Sequence, residues 1–144
     1  MNIYFSGSIR GGRSEVESYR QIILHLKKFG KVLTAYIGDP ALDPVHGEVE
    51  SDAFIWGRDV RWVQDSDILV AEITQPSLGV GYEIAMAHEN HVPVLALYHQ
   101  DKIVRPSAMV AGDPNVTLCP YLQIENVLTE IDQFFQRITL QDAG

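Results

Sequence analysis

Glu83 in GVGYEI, Asp59 in FIWGRDVRW and Tyr4 in NIYFS form the set with most chemical content, because two carboxylates and a phenol at one crevice can do glycosidic chemistry. Glu83 also has a simple structural explanation: an acidic side chain in a helix's first turn stabilises the dipole by about 0.3–1 kcal/mol, and position alone leaves the two readings even. Asp59 tilts the balance. It lies four residues after Ile55 and four before Val63, so a helix turns it inward with apolar side chains. An unpaired carboxylate there costs several kcal/mol to bury, so Asp59 is expected to line a cleft or to be paired. Tyr4, inside a strand, is either core or a residue whose hydroxyl needs a partner.

Two glycine-rich stretches, SGSIRGGR and TQPSLGVG, accompany these residues. Ser8, Ser77, Arg10 and the backbone N–H groups around Gly7 and Gly79 could cradle one monophosphate. GVGYEI begins like the dinucleotide fingerprint but has Ile84 at the third glycine position, and no GxxxxGK[ST] occurs. No cofactor is expected. His88 and His91 in HENH suit a solvated helix end better than a metal site, since no further ligand pair has metal-site spacing. His46 and His99 read as loop residues, and Trp56, Trp62, Met86 and Met109 as packing residues.

The elements that must position the set follow from periodicity. Asn2 to Phe5 reads as a strand, and Ser14 with Glu17 as the capping box of a helix carrying Val16, Tyr19, Ile23 and Leu26, stopped at Gly30. Lys31 to Tyr36 offers a second strand, residues 38–50 a loop near the active face, and residues from about Ser51 a helix, weakened by Gly57 by up to about 1 kcal/mol. Ile68 to Ala71 is an unbroken apolar run suited to a strand covered on both faces, followed by a loop and, after Gly81, a helix with Glu83 in its opening turn. Pro93 to Tyr98 and Val116 to Cys119 supply two more strands, and Ile124 to Ile138 lines a last helix. This alternation predicts one doubly wound α/β domain over residues 1–144, with a five-stranded parallel sheet in the flavodoxin-like order 2-1-3-4-5. Strands 1 and 3 then meet at the switch point, and each is followed by one of the glycine-rich loops.

Composition sets outer bounds. The 144 residues are 46% hydrophobic, enough for a real core, and 19 acidic against 11 basic residues give a net charge of −8. That charge argues against binding a nucleic acid polymer through a broad basic surface, while local amides can still hold a small anion. A lone cysteine, Cys119, supports no disulfide framework. MNIYFSGSIR enters a strand directly, and no apolar run approaches the roughly 20 residues of a membrane span, so a cytoplasmic, membrane-free protein is expected.

The stretches IYFSGSIRGGR at 3–13, RDVRWVQDSDILVAEITQPSLGVGYEIAMA at 58–87 and PSAM at 106–109 closely resemble the 2′-deoxynucleoside 5′-monophosphate N-hydrolases of the nucleoside 2-deoxyribosyltransferase family. The resemblance runs through most of the chain, but not through residues 37–52 or the tail after Thr139. It implies that Glu83 is the nucleophile, Asp59 the acid that assists base departure, and Tyr4 the residue that orients Glu83. By the same resemblance Gly7, Ser8, Ile9, Arg10, Ser77 and Gly79 bind the 5′-phosphate of a small-molecule nucleotide. Ser107 from a neighbouring subunit would complete that pocket, making a homodimer with shared sites. Free base and 2-deoxyribose 5-phosphate would be the products. Two alternatives stay open. A base-exchanging transferase of the family would act on nucleosides with a chain-terminal carboxylate, for which QDAG offers no obvious equivalent; a non-catalytic nucleotide binder would have no use for paired carboxylates.

Overall fold

The computed structural model describes residues 1–142. Five parallel strands, β1 (Asn2–Ser6), β2 (Lys31–Val32), β3 (Ile68–Glu72), β4 (Val94–His99) and β5 (Val116–Tyr121), form one sheet in the order β2-β1-β3-β4-β5. The expected sheet order is the one observed. Helices α1 (Val16–Leu26) and α5 (Ile124–Asp142) cover one face, against Ile3, Phe5, Ile68, Val70, Leu95 and Leu97. Helices α2 (Asp52–Gln64) and α3 (Leu78–Glu89) cover the other, where Val63, Val80 and Ile84 pack with Tyr4, Leu69 and Ala71. The two sets of strand residues alternate, as the two-residue period of a strand requires. A one-turn helix, α4 (Ala108–Ala111), lies between β4 and β5. No helix among the described residues is long and apolar enough to cross a membrane.

Several local expectations give way. β2 stops at Val32 rather than Tyr36 because Thr34 replaces the ladder with its side chain: its Oγ1 accepts from the Phe5 N–H at 2.9 Å and donates to the Phe5 carbonyl at 2.6 Å. The chain then tightens into a 3₁₀ turn at Ala35–Gly38. No capping box forms at Ser14. Lys102 holds Glu15 at 2.6 Å, Glu17 pairs with Arg20 at 2.7 Å, and α1 starts at Val16 without a side-chain cap. β3, β4 and β5 run on to Glu72, His99 and Tyr121, so His99 ends a strand instead of lying in a loop.

Trp56 and Met109 are not packing residues; they are 58% and 85% exposed. His88 is not merely solvated, since its Nδ1 lies 2.7 Å from Asp113 Oδ1. Ala143 and Gly144, which carry the end of the QDAG comparison, lie outside the described residues.

Glu72 closes β3 on the α1/α5 side as a wholly buried carboxyl. Its Oε1 accepts from the Thr74 hydroxyl, from Thr74 N–H at 3.2 Å and from the Tyr121 hydroxyl at 3.2 Å, while Oε2 has no partner among the described residues. Burial pushes its pKa from 4.5 up to about 7, outweighing those hydrogen bonds. A carboxyl whose folded value exceeds its unfolded one holds a proton that unfolding releases, so it erodes stability as pH rises from about 4.5 through about 7. Glu72→Gln is therefore expected to cut the stability lost between pH 5 and pH 8 by about 2 kcal/mol, measured by denaturant unfolding at the two pH values. An unchanged pH dependence would contradict the assignment.

Candidate active site

α3 begins at Leu78, four residues before the start at Tyr82 expected after Gly81. Ser77 is in extended geometry and its Oγ accepts from Val80 N–H at 3.4 Å, an N-cap that starts the helix early and draws Gly79 and Gly81 into it. Glu83 consequently sits in the second turn. Stabilising the helix dipole, the competing explanation for an acid here, applies to the first turn and so loses its force.

What holds Glu83 is strand β1. Tyr4 and Ser6, two residues apart, point to the same face; the Tyr4 hydroxyl donates to Glu83 Oε1 at 2.8 Å, and the Ser6 hydroxyl donates to Oε2. Burial pushes the Glu83 carboxyl from 4.5 up to about 7, the two hydroxyl bonds pull it down, and the charge of Asp59 raises it further. The Tyr4 phenol, wholly buried beside two carboxyls, is held well above its ordinary value and stays a donor. Ser6 was missed because the strand was expected to end at Phe5. Extending it by one residue places Ser6 beside Tyr4 by period alone.

Asp59 faces the same cleft from α2, and it is paired. Arg58 donates to Asp59 Oδ1 through Nε at 2.9 Å, and Nη2 lies 2.8 Å from the same oxygen. The guanidinium also grips Glu48, Nη1 to Oε1 at 2.5 Å and Nη2 to Oε2 at 2.9 Å, while Nη2 donates to the Tyr36 hydroxyl at 2.7 Å. It stacks at 4.5 Å from the Trp62 ring centroid. Burial raises the Asp59 carboxyl above its ordinary value, Arg58 opposes this, and Glu48 adds to it. For Glu48 burial also acts upward, but the hydrogen bonds and charge of Arg58 outweigh it and hold the carboxyl low.

The cleft has a volume of about 580 Å³. Gly7, Ile9, Arg10, Ser77, Gly79, Asp59 and Glu83 all line it, with Trp56, Asp52 and Glu48 in addition. Its mouth carries an Arg10–Asp52 pair at 2.9 Å, exposed on both sides and worth little in water, so the guanidinium can turn to an incoming anion. Leu78 and Gly79, which open α3 and whose N–H groups have no intrahelical partners, line it too, an arrangement that favours anions. Trp56 stands at the rim with its Nε1 donating to the Tyr82 hydroxyl at 3.2 Å. Gly11 is required where the two loops meet, since a Cβ there would lie 2.8 Å from Ser8 Oγ and 3.1 Å from the Pro76 carbonyl.

Two expected phosphate ligands stand apart. Ser8 is wholly buried, and its Oγ has no partner among the described residues. Ser107 caps α4 and lines a neighbouring cleft of about 990 Å³ with Gln75, Arg105 and Met109. The missed residues, Glu48, Arg58 and Tyr36, carry weak signals: Glu48 lies in the loop that the resemblance skips, and Arg58, the first residue of the resembling stretch at 58–87, has no role implied for it there.

The model for nucleoside 2-deoxyribosyltransferases matches residues 3–129. The chain belongs to that family. A 5-hydroxymethyl-dUMP N-hydrolase of Rattus norvegicus is 40% identical over 139 residues, covering 94% of this chain and 85% of its own. A Syntrophotalea carbinolica protein, provisionally named a 2′-deoxynucleoside 5′-phosphate N-hydrolase, is 46% identical over 122 residues, 84% of each chain. The fold is also that of the Clostridium botulinum CMP N-glycosidase BcmB, with a TM-score of 0.67 at 17% identity over 92% of this chain and 99% of the other. The family and these relatives make the chain an enzyme of the N-glycosidic bond.

Tyr4→Phe and Ser6→Ala each remove a donor to the ionised carboxylate and are expected to raise the Glu83 midpoint by about one unit. Carbon-13 NMR of the labelled carboxyl measures this directly. A midpoint that stays in place in both variants would show that the hydroxyls do not stabilise the charged form.

Proposed function

We propose that the chain hydrolyses the N-glycosidic bond of 2′-deoxynucleoside 5′-monophosphates to free base and 2-deoxyribose 5-phosphate, through a covalent glycosyl-enzyme on Glu83. The strongest support is the pairing of two carboxyls in different settings on one cleft: Glu83 held by two hydroxyls, and Asp59 with a single oxygen engaged by Arg58. The ionised Glu83 oxygen bonds to C1′ as the C1′–N bond breaks, and the bond's electron pair leaves with the base, which takes a proton from Asp59. Water then attacks C1′, its proton returns to Asp59, and the Glu83 carboxylate is released. Tyr4 and Ser6 orient the nucleophile. A pKa near 7 leaves Glu83 ionised in a useful fraction at neutral pH.

Arg10, Ser77 and the backbone at Gly7, Ile9 and Gly79 form the phosphate cradle, with Ser8 behind it. Ser77 has a suitable valence: its oxygen accepts from Val80 N–H, which leaves the hydroxyl proton for a phosphate oxygen. The protein is proposed to act in the cytoplasm as one domain, with no cofactor, metal, membrane or nucleic acid polymer. The names of the relatives support a nucleotide substrate of this kind.

Incubation with deoxynucleoside monophosphates and with the matching nucleosides, each with and without a second free base, tests the reading. Base release from the nucleotide in preference to the nucleoside is expected, with Glu83→Ala inactive but still binding nucleotide, because the lost group acts in the transition state. Exchanged base, or preference for the nucleoside, would establish a transferase; binding without either product would leave a nucleotide-binding module.

The same reading includes a homodimer in which Ser107 serves the neighbour's phosphate site, supported by its position outside the Glu83 cleft of its own chain. Refolding Glu83→Ala together with an impaired Ser107→Ala chain should then give one intact site per mixed dimer and activity above the average of the parents. A mixture no better than that average, with subunit exchange confirmed, would place Ser107 in the service of its own chain.

A further inference from the structure

Two carboxylates compete for one guanidinium at the wall of the cleft, and they share it unequally. Glu48 takes a two-pronged grip, both of its oxygens meeting Nη1 or Nη2, whereas both Arg58 contacts to Asp59 fall on Oδ1. Among the described residues Asp59 Oδ2 receives no hydrogen bond, and Asp59 faces the cleft. The arrangement is enclosed. Arg58, Asp59 and Glu48 side chains are 17%, 17% and 15% exposed, so the charges act on one another with limited solvent screening. Arg58 is fixed by stacking on Trp62 and Tyr36 and cannot swing away to serve one acid alone.

We propose that Glu48 is a positioning residue for the acid: by occupying the fork of Arg58 it leaves Asp59 with one oxygen tied down and the other free to carry a proton into the cleft. This rests on the hydrolase reading for its catalytic meaning. The chemistry of the cluster is a matter of charge: two carboxyls and one guanidinium leave one negative charge in excess, which a proton on one of the acids removes. The acid gripped at both oxygens is the harder one to protonate. Asp59, bound at a single oxygen, is left to hold it.

The device depends on a loop with no regular structure. Asp43 ties the turn together, accepting from the N–H groups of Val45 at 2.7 Å and His46 at 3.0 Å, and Arg10 Nε donates to the His46 carbonyl at 3.0 Å. Gly47 has φ +69°, and its Cβ position lies 3.3 Å from Ile9, so only glycine passes there easily before Glu48 reaches Arg58. The loop that positions the acid is thereby fastened to the arginine expected at the phosphate.

The groups that face Asp59 are Arg58 on its own helix, Glu48 from the loop, Tyr36 from the 3₁₀ turn, Tyr4 from β1 and Glu83 from α3. The two tyrosines are held neutral by burial and by the carboxylates near them. Glu83 is kept in every variant compared, which leaves Arg58 and Glu48 as the variables.

The test uses opposite signs. Glu48→Gln leaves Arg58 to Asp59 alone, so the Asp59 midpoint, followed by carbon-13 NMR with Asp59→Asn to assign the resonance, should fall by about one unit. Arg58→Gln removes the cation and should raise it by about one unit or more. The basic limb of kcat/KM for nucleotides with poorly leaving bases should follow, down in the first variant and up in the second. Glu48→Asp, which keeps the charge, should titrate within a few tenths of a unit of the wild type. A general loosening of the cleft would move both midpoints in the same direction. Shifts of like sign, or no shift in whichever of the two variants folds, overturn the proposal. The NMR readout needs no turnover, so a wild-type protein that releases no base would refute the hydrolase reading and leave the linkage between Glu48, Arg58 and Asp59 to be decided by titration.

Discussion

The contact on which this structure turns is the one between β1 and α3, where Tyr4 and Ser6 each give a hydroxyl to one oxygen of Glu83. Burying a carboxylate without donors costs several kcal/mol, and the group would otherwise simply keep its proton. Two donors on one strand solve this only if they project to the same face, which their spacing of two ensures. They must also lie under the helix that carries the acid. That places β3 next to β1, in the register Tyr4 with Leu69 and Ser6 with Ala71, so that from α3, which packs on β3 and β4, the Glu83 side chain reaches the neighbouring strand β1. Val80 and Ile84 bury against that face and fix the rotation of α3, which in turn aims Glu83. The sheet order is thus a condition for the site as well as a property of the fold.

The cleft then separates two like groups by their surroundings. Glu83 is met by neutral hydroxyls, which stabilise its charge without neutralising it. Asp59 is met by a cation that a third carboxyl largely occupies. Such a difference suits the two roles proposed for them, nucleophile and acid, at a single pH, because the same side-chain chemistry titrates according to what surrounds it. A net charge of −8 opposes an anionic ligand only weakly at a distance, since salt screens fields beyond about 8–10 Å. At close range the helix start and Arg10 present donors, and close range is where the proposed phosphate would be held.

Most of the scaffold and part of the site could be read from the sequence because they depend on local pattern. The unbroken run Ile68 to Ala71, the glycine-rich loops after the first and third strands, and the inward placement of Asp59 all follow from spacing within a few residues. What escaped depended on partners far along the chain. Thr34 ends β2 by bonding to Phe5, 29 residues away, and Lys102 takes Glu15 out of reach of a cap from 87 residues away. No window of sequence contains those competitions. The start of α3 differs for a local reason: two glycines, at 79 and 81, suggest turn, whereas Ser77 as N-cap overrides two glycine penalties of about 1 kcal/mol each once Val80 and Ile84 are buried. Glu48 was hidden most completely, since a loop residue gripping an arginine leaves no periodic trace.

The beginning of α3 is also where the Glu83 cleft and the cleft lined by Ser107 touch. Ser77, Leu78 and Val80 line both, so whatever occupies the larger cleft acts on the same helix end that faces the smaller one. Val80 is buried and ties this end to the core, while Leu78 is 96% exposed at the rim. A single turn of helix therefore has one face committed to the core, one to the Glu83 cleft and one to the apolar hollow beside Met109. Gly79 makes this division possible. A Cβ there would meet nothing closer than Ser77 Oγ at 3.8 Å, so the small residue is not demanded by crowding within the chain. Its absence of a side chain keeps the backbone of the first turn uncovered, which suits the anion binding proposed for it and answers no demand of folding.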